Sequence, residues 1–208
     1  GYNIALKDLE IRGSGNLFGY EQSGSVDKVG YHLYCKMFER ALQKDKRVES
    51  GVGSLKISAF FNSSFEESYM PVSEDRIYYY QRLAAALSGV EIDEIQNEVV
   101  DRFGVLALSA KNMFNLSRLR LIYNKSFVSK IDVKSGSVVF SFNKNNSVLF
   151  KEYFGRLIDG LSRACIGHSF KRGNHDSLYV EIPVGLGVVP IEAAFTYADY
   201  FIYNKKND

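Results

Sequence analysis

An arginine and a glutamine, separated by a glycine-rich loop, are the residues of this 208-residue chain best suited by type and spacing to make functional contacts. Arg12 offers a planar fork of five N–H donors that fits a bidentate acceptor, and Gln22 can both donate and accept a hydrogen bond. Glycines allow positive φ angles, so a compact loop can hold the two side chains at a fixed separation. These glycines are Gly13, Gly15, Gly19 and Gly24.

The same loop has two other interpretations. Exposed backbone N–H groups ahead of a helix can bind phosphate, but the sequence has no G-x-x-x-x-G-K-[ST] and no G-x-G-x-x-G that opens a helix after a strand. Two acids, Asp8 and Glu10, also precede the loop, which disfavours an anion site. Alternatively, the glycines only form turns between two helices.

The run DLEIRGSGNLFGYEQSG, residues 8–24, resembles the translocation motif of two related motor families. These are the RecG-type branch-migration helicases and the bacterial transcription-repair coupling factors, of which the second is the closer match. A helix-like segment, VGYHLYCKMFERAL, follows at residues 29–42. Two later segments, ESYMPVSEDRIYYYQRLAAA and IQNEVVDRFGVL, resemble signatures of the C-terminal domain of the coupling factors.

This resemblance implies that the chain is the C-terminal part of a DNA translocase that acts on stalled RNA polymerase and recruits nucleotide excision repair. The ATPase motifs, with ATP and Mg²⁺, would lie upstream of Gly1, so we expect the chain itself to have no enzyme activity and no cofactor. The resemblance assigns to Arg12 and Gln22 the coupling of nucleotide state to movement along duplex DNA. The other residues of this translocation site are Asp8, Glu10, Gly13, Gly15, Asn16, Gly19 and Gly24.

The resemblance also implies the partners of the C-terminal domain. In this family the domain packs on the protein's own N-terminal repair-protein-binding module and masks the site for the damage-recognition protein of excision repair. RNA polymerase and duplex DNA are expected to be contacted through the rest of the protein.

Composition agrees with a globular protein. Hydrophobic residues make up 46% of the chain, with 15 Phe and 14 Tyr, and charged residues make up 24%. A net charge of +2 is low for a free-standing DNA-binding protein. Two cysteines do not form a disulfide framework, and no apolar run approaches the length of a membrane span. We therefore expect a cytoplasmic protein that does not contact a membrane.

A change in composition predicts the domain boundary. A helix is predicted over 28–44, and residues 43–54 mix charges with two glycines, as an exposed connector does. We predict that residues 1–50 are the tail of the translocase module, with its translocation motif and a linker helix. Residues 55–204 are predicted to be the C-terminal domain.

The pattern after the boundary predicts an α+β fold. Leu55 to Phe60 suggests an edge strand, and three helices follow, the first capped by Ser73 and closed by Gly89, the second closed by Gly104. Two β-hairpins come next, each trailed by a helix, so the sheet should be small and mainly antiparallel. The predicted apolar positions of these helices are Ile77, Tyr80, Leu83, Ala84 and Leu87; Ile92, Ile95, Val99 and Phe103; Ala110, Met113, Phe114, Leu116, Leu119 and Ile122; Leu149, Tyr153, Phe154, Leu157, Ile158 and Leu161; and Ile191, Ala194, Phe195, Ala198, Phe201 and Ile202.

Three further patterns have alternative interpretations. A basic stretch over 102–131 could bind nucleic acid, as in a free-standing nucleic-acid-binding module, or could be a solvated face of the third helix. Tyr78 and Tyr79 fall off the apolar stripe and are predicted at a helix surface or an interface. Two His/Cys pairs could hold zinc, although buried free cysteine is commoner, so we predict no metal site. The basic residues are Arg102, Lys111, Arg118, Arg120, Lys125 and Lys130, and the pairs are His32 with Cys35 and Cys165 with His168.

Overall fold

The computed structural model describes residues 55–123, 126–142, 148–172 and 178–201, and within them the chain forms a mixed α/β fold. Five strands and six helices follow one another in these residues. Their order is β1 (Lys56–Ala59), α1 (Ser73–Ala85), α2 (Gly89–Phe103), α3 (Leu108–Tyr123), β2 (Val128–Val133), β3 (Ser137–Phe142), α4 (Val148–Arg163), β4 (Ser169–Arg172), β5 (Leu178–Pro183), α5 (Pro190–Thr196) and α6 (Ala198–Phe201).

The strands form one sheet in the order β1-β2-β3-β5-β4. β2 pairs antiparallel with β3, and β5 pairs antiparallel with both β3 and β4. β1 lies at an edge and pairs parallel with β2. A parallel pair requires a long crossover connection, which α1, α2 and α3 provide. The predictions of a mainly antiparallel sheet and of an edge strand at its start are confirmed.

Two separate hydrophobic cores stabilise the fold. The helical core lies between α1, α2 and the first half of α3 and includes Tyr80, Ile95 and Phe114. The sheet core lies between the sheet and α4, α5 and α6, and includes Phe140 and Phe201, whose rings stack with centroids 4.0 Å apart. The second half of α3 packs on this sheet core, so α3 joins the two cores.

The boundary between α1 and α2 differs from the prediction. Gly89 does not close α1; it is the first residue of α2, and α1 already ends at Ala85. Ser88 caps α2, because its Oγ accepts a hydrogen bond from the Glu91 N–H at 3.2 Å while the Glu91 carboxylate accepts one from the Leu87 N–H at 3.2 Å. The pair resembles a capping box, with Glu91 bonded to the N–H of the residue before the cap instead of to that of Ser88 itself. Leu87, predicted to be buried, is 77% exposed in this turn.

The other helix ends also allow a comparison. Ser73 is the first residue of α1 rather than its cap, and its hydroxyl bonds to Glu74. Gly104 does close α2, with a φ of 82° that favours glycine. The helix predicted after Pro190 is broken at Tyr197 into α5 and α6. In α4, Phe150 faces the core where Leu149 was predicted, and Leu149 is exposed. Ile202 lies outside the described residues.

Candidate interaction surface

The predicted translocation site cannot be placed in the fold. Its nine residues, from Asp8 to Gly24, lie outside the described residues, as do the connector at 43–54 and the boundary predicted within it. The roles assigned to Arg12 and Gln22 therefore remain predictions.

Two of the four residues considered for a zinc site, Cys165 and His168, lie within the described residues. Cys165 is an exposed free thiol with a φ of 53°, and His168 Nδ1 lies 2.7 Å from the backbone oxygen of Ile166. His32 and Cys35 lie outside the described residues. Within the described ranges, no three His, Cys, Asp or Glu side chains are grouped so that they could hold a metal ion.

The basic stretch does not form one face of α3. Arg120 is only 2% exposed, and Lys130 lies on β2. Other members are paired with acids: Arg102 with Asp75 at 3.3 Å, and Arg118 with Asp93 at 2.6 Å. The prediction of a solvated face on α3 is therefore wrong for Arg102, which lies on α2, and for Arg120 and Lys130. Acids from other elements pair with Arg102 and Arg118.

An open cleft at one end of the sheet contains a strongly acidic carboxylate. Its lining includes Gly136, Ser137, His168 and Glu181. Hydrogen bonds from Lys171 Nζ at 2.9 Å and from the Ser137 hydroxyl at 2.8 Å lower the pKa of Glu181 to about 2. The carboxylate is thus a fixed anion at neutral pH, which makes it unsuited to general acid–base catalysis, because that requires a pKa near the working pH.

A network of charged and aromatic side chains links the exposed sides of α1 and α2. We call its members, Asp75, Tyr79, Arg82, Glu98 and Arg102, the helix-pair surface. Arg82 forms an ion pair with Glu98, and Arg102 forms one with Asp75 at 3.3 Å. Between these pairs, the Tyr79 hydroxyl donates to Glu98 at 2.9 Å and accepts from Arg102 at 3.0 Å. Each charged member therefore has a partner on the opposite helix.

Aromatic rings hold the two arginines in place. Tyr79 is fully buried and its ring packs edge-on against Phe65 and Phe103. Of the two predicted placements, the helix surface is wrong and the interface, here between α1 and α2, is correct. The Arg82 guanidinium lies 5.4 Å from the ring centroid of Tyr78, and the Arg102 guanidinium lies 5.8 Å from that of Tyr79. Cation–π contacts of this kind restrict an arginine without burying its charge.

The electrostatics of the network favour permanent charges. The hydrogen bond from Arg82 lowers the pKa of Glu98, and the hydrogen bond from Tyr79 and the charge of Arg102 add to this effect. For Tyr79, burial raises the pKa of the hydroxyl, although the hydrogen bond from Arg102 acts in the opposite direction. At neutral pH Glu98 is thus a fixed anion, held between two arginines and beside a neutral phenol.

This arrangement is suited to binding and not to chemistry. It contains no nucleophile with a base and no carboxylate poised to exchange a proton. It does contain two arginines, which are enriched at protein interfaces, with side chains that keep 27% and 45% of their surface exposed. Sequence reasoning identified only Arg102 and Tyr79 among these residues. The missed signal was the spacing of Asp75, Tyr79 and Arg82, which puts acid, ring and base on adjacent turns of one helix.

Comparison with known proteins identifies relatives of the chain. The TRCF domain family matches residues 58–153. The transcription-repair-coupling factor of Escherichia coli is 32% identical over 154 residues, which cover 71% of this chain and 13% of that protein. The factor of the same name from Haemophilus influenzae is 34% identical over 151 residues, covering 68% of this chain and 13% of that protein. The corresponding factor of Buchnera aphidicola is 32% identical over 154 residues, which cover 71% of this chain and 19% of that protein.

A solved structure has the same fold. It is the C-terminal domain of a transcription-repair coupling factor, with a TM-score of 0.57 and 17% identity, and the match covers 71% of this chain and 91% of that one. At this level of identity the match supports the fold alone. The chain spans between 13% and 19% of the length of the relatives named above. In the described part of the chain, no helix has both the length and the apolar character needed to cross a membrane.

Proposed function

Since the chain carries a TRCF domain and so belongs to the transcription-repair-coupling factor family, we propose that it is the C-terminal part of such a factor and that residues 55–204 form a regulatory docking domain. The whole factor would be a cytoplasmic, ATP-dependent DNA translocase that acts on stalled RNA polymerase and recruits excision repair. ATP and Mg²⁺ would bind motor sequence upstream of this chain. The 208-residue chain would then contribute the regulatory domain and the coupling of ATP hydrolysis to DNA movement, and not the hydrolysis itself.

The observation that carries the proposal is the helix-pair surface. Its arginines and carboxylates are fixed in advance by cross-helix bonds and by the rings of Tyr78 and Tyr79, so little side-chain freedom is lost when a partner binds. A partner with a complementary pattern of charges can meet the exposed edges of Arg82 and Arg102 without breaking the bonds beneath them. A docking surface of this kind gives specificity through geometry and needs no large net charge.

The proposed partner is the protein's own N-terminal repair-protein-binding module. Two modules joined in one chain meet at an effective concentration on the order of millimolar, so a small and polar interface is enough to keep them together. Docking would mask the site for the damage-recognition protein until binding of a large partner separates the two modules. The modest net charge of +2 agrees with a polar interface of this type.

For the translocation site we propose the roles that the family resemblance implies. Arg12 and Gln22 would transmit nucleotide state to movement on duplex DNA, and the glycines of the loop would fix their separation. The upstream motor would supply the catalytic groups. We therefore expect the 208-residue chain to hydrolyse no ATP above a buffer blank, with or without DNA.

A second candidate function is a free-standing nucleic-acid-binding module that uses residues 102–131. The arginines of this stretch argue against it, because they do not share one surface: Arg102 is paired with Asp75, Arg118 with Asp93, and Arg120 is buried. The docking proposal accounts for the Arg102–Asp75 pair as part of the prearranged helix-pair surface.

Binding between separate parts of the factor tests the docking proposal. Calorimetric titration of the 208-residue chain into the remaining N-terminal part of the parent protein should show a saturable complex. Arg102→Ala should weaken it by about tenfold or more, as truncation of a central interface arginine does. Arg156→Ala is the matched control, since Arg156 on α4 has a similarly exposed side chain and also forms an ion pair, with Glu152 at 2.5 Å.

The proposal predicts that the Arg156→Ala chain binds within about twofold of the unchanged chain. Absence of a complex, or equal weakening by both substitutions, would show that the helix-pair surface is not the docking site. Circular dichroism of each variant should show the same helix content as that of the unchanged chain.

A further inference from the structure

The sheet has an outer face, turned away from the sheet core. Along the strands its residues alternate with core residues, as the period of two requires, except at an irregularity in β2, where the register shifts between Val128 and Lys130. The outer face contains five serines, one tyrosine and one valine among its charged residues. Its members are Lys56 and Ser58 on β1; Ser129, Lys130 and Asp132 on β2; Ser137, Val139 and Ser141 on β3; Tyr179 and Glu181 on β5; and Ser169 and Lys171 on β4.

Strand register places three lysines and the tyrosine in one row across this face. Lys56 pairs with Lys130 and Lys130 with Ser141, while Tyr179 lies between Ser141 and Lys171. Four strand spacings separate the ends of the row, so it runs about 19 Å across the sheet. No acid interrupts this row, and its ring lies next to a small serine.

Both acids of the face lie in the adjacent row. Lys130 Nζ reaches Asp132 at 2.6 Å and Lys171 Nζ reaches Glu181 at 2.9 Å, while Lys134 in the β2–β3 turn lies 3.6 Å from Glu181. Half-exposed pairs of this kind contribute little free energy, so the lysine head groups can turn towards a bound anion. Four lysines, including Lys56, face two carboxylates, which leaves a local charge of +2.

No helix among the described residues packs on the outer face. Val139 is its one apolar aliphatic residue, and although only 8% exposed it belongs to neither hydrophobic core. The hydrogen bonds of the face stay within the sheet: Ser58 bonds to Asp132, Ser129 to the Ser141 oxygen, and Ser137 to Glu181. Lys56 and Lys171 are exposed and Lys130 and Tyr179 are half-buried, so the described residues leave the row open to a ligand.

We propose that the outer face binds single-stranded DNA, with phosphates along the lysine row and a base stacked on Tyr179. A lysine row that flanks an accessible ring is the combination that single-strand binding surfaces use. A duplex cannot use Tyr179, because its bases are already stacked and paired. Three of the five serine hydroxyls already form hydrogen bonds within the sheet, so few groups are left to bond to a ribose 2′-hydroxyl. The proposed ligand is therefore DNA and not RNA.

The chemistry sets the strength of this binding. At most three phosphates meet the row, so log Kd should change with log salt with a slope of about 2, since a single strand contributes about 0.7 per neutralised phosphate. This weak site is independent of the docking proposed for the helix-pair surface. The two can be tested on the same chain, because they use different residues and different ligands.

The test is fluorescence anisotropy of the 208-residue chain with labelled oligo(dT) of about 15 nucleotides, a length on the scale of single-strand binding sites. Tyr179→Phe should keep the affinity within about twofold, whereas Tyr179→Leu should lose about fivefold or more, the effect of removing one stacked base. Lys130→Gln and Lys171→Gln should each reduce the salt slope by about 0.7. Lys151→Gln, at an exposed position on α4, is the matched control and should change neither quantity.

Several results would overturn the proposal. These are no binding at millimolar chain in low salt, equal affinity of the Tyr179→Leu and Lys151→Gln chains, or tighter binding of duplex DNA, of oligo(U) or of an acidic peptide. Loss of binding in Lys111→Gln, with the outer-face variants unchanged, would assign the binding to the basic stretch instead. Thermal unfolding of every variant separates these results from misfolding.

Discussion

The helix-pair surface and the outer face of the sheet both carry charged side chains, but they hold these side chains in different ways. On the helices, Arg82 and Arg102 are bonded across the helix pair and lie over aromatic rings. On the sheet, Lys130 and Lys171 extend from flexible side chains towards acids one row away. The guanidinium groups have fixed positions, while the ammonium groups can move.

This difference separates two kinds of ligand. A rigid fork of donors held by its neighbours recognises a partner of one shape, which suits docking between two protein modules. A mobile ammonium group can move to meet a phosphate at any of several positions, which suits an extended polyanion. The predictions below test whether the two surfaces are separate and whether their charges behave in these two ways.

The largest expected effect concerns the two cores beneath the surfaces. Phe114 is fully buried in the helical core and Phe140 in the sheet core. Each substitution, Phe114→Ala or Phe140→Ala, should lower the free energy of unfolding by about 3–5 kcal/mol, because a large ring leaves a cavity. Hydrogen exchange should show Phe114→Ala acting mainly on α1 and α2, and Phe140→Ala mainly on β3 and β5. Equal acceleration of exchange throughout would mean that the cores act as one unit.

How much of this architecture the sequence predicts depends on the range of the interactions involved. The β2–β3 hairpin followed from the alternation of Ile131 and Val133 with Val138, Phe140 and Phe142, a local pattern that the register confirms. The parallel pairing of β1 with β2 was not predicted, because these strands are more than 60 residues apart and nothing in either segment specifies the other. Local periodicity identifies elements, and tertiary contacts decide how they pair.

The helix-pair surface shows the same limit. Tyr79 was predicted at a helix surface or an interface because it falls outside the apolar stripe of α1. Its burial depends on Phe65, from the segment before α1, and on Phe103, at the end of α2, neither of which a single-helix pattern can include. Gly89 was interpreted as a stop signal, although Ser88 with Glu91 forms a start signal one residue earlier. Where two signals adjoin, the capping hydrogen bonds decide the boundary.

A smaller effect is expected at the centre of the helix-pair surface. Tyr79→Phe removes the hydroxyl that bonds to both Glu98 and Arg102 but keeps the buried ring. The variant should lose about 1 kcal/mol of unfolding free energy. Urea unfolding measures it, and Tyr78→Phe is the control, since the Tyr78 hydroxyl has only a 3.4 Å bond from Arg82. Equal losses in the two variants would mean that Tyr79 does not organise the network.

The smallest effect concerns the carboxylate of the sheet. The pKa of Glu181 is lowered from 4.5 to about 2 by Lys171 and Ser137, so its ionised form stabilises the folded chain. This contribution is fully present above pH 4.5 and is lost as the pH falls towards 2. Urea midpoints should therefore differ between the unchanged chain and Glu181→Gln at pH 6, and the difference should shrink between pH 4.5 and 2.

Glu152→Gln, which removes a carboxylate from α4, controls for the general loss of negative charge in this experiment. A difference between Glu181→Gln and the unchanged chain that stays constant down to the lowest pH would contradict the proposed pairing. It would mean that the lysines of the sheet do not stabilise the ionised carboxylate.

The most direct test of the central claim, that this domain docks within its own protein, uses the full-length parent factor. Deletion of residues 55–208 should raise its affinity for the damage-recognition protein of excision repair by about tenfold or more, because a closed tethered pair reduces the apparent affinity by the fraction that is open. Arg102→Ala should raise it in the same direction and Arg156→Ala should not. An affinity that is unchanged or lower after the deletion would contradict the docking account.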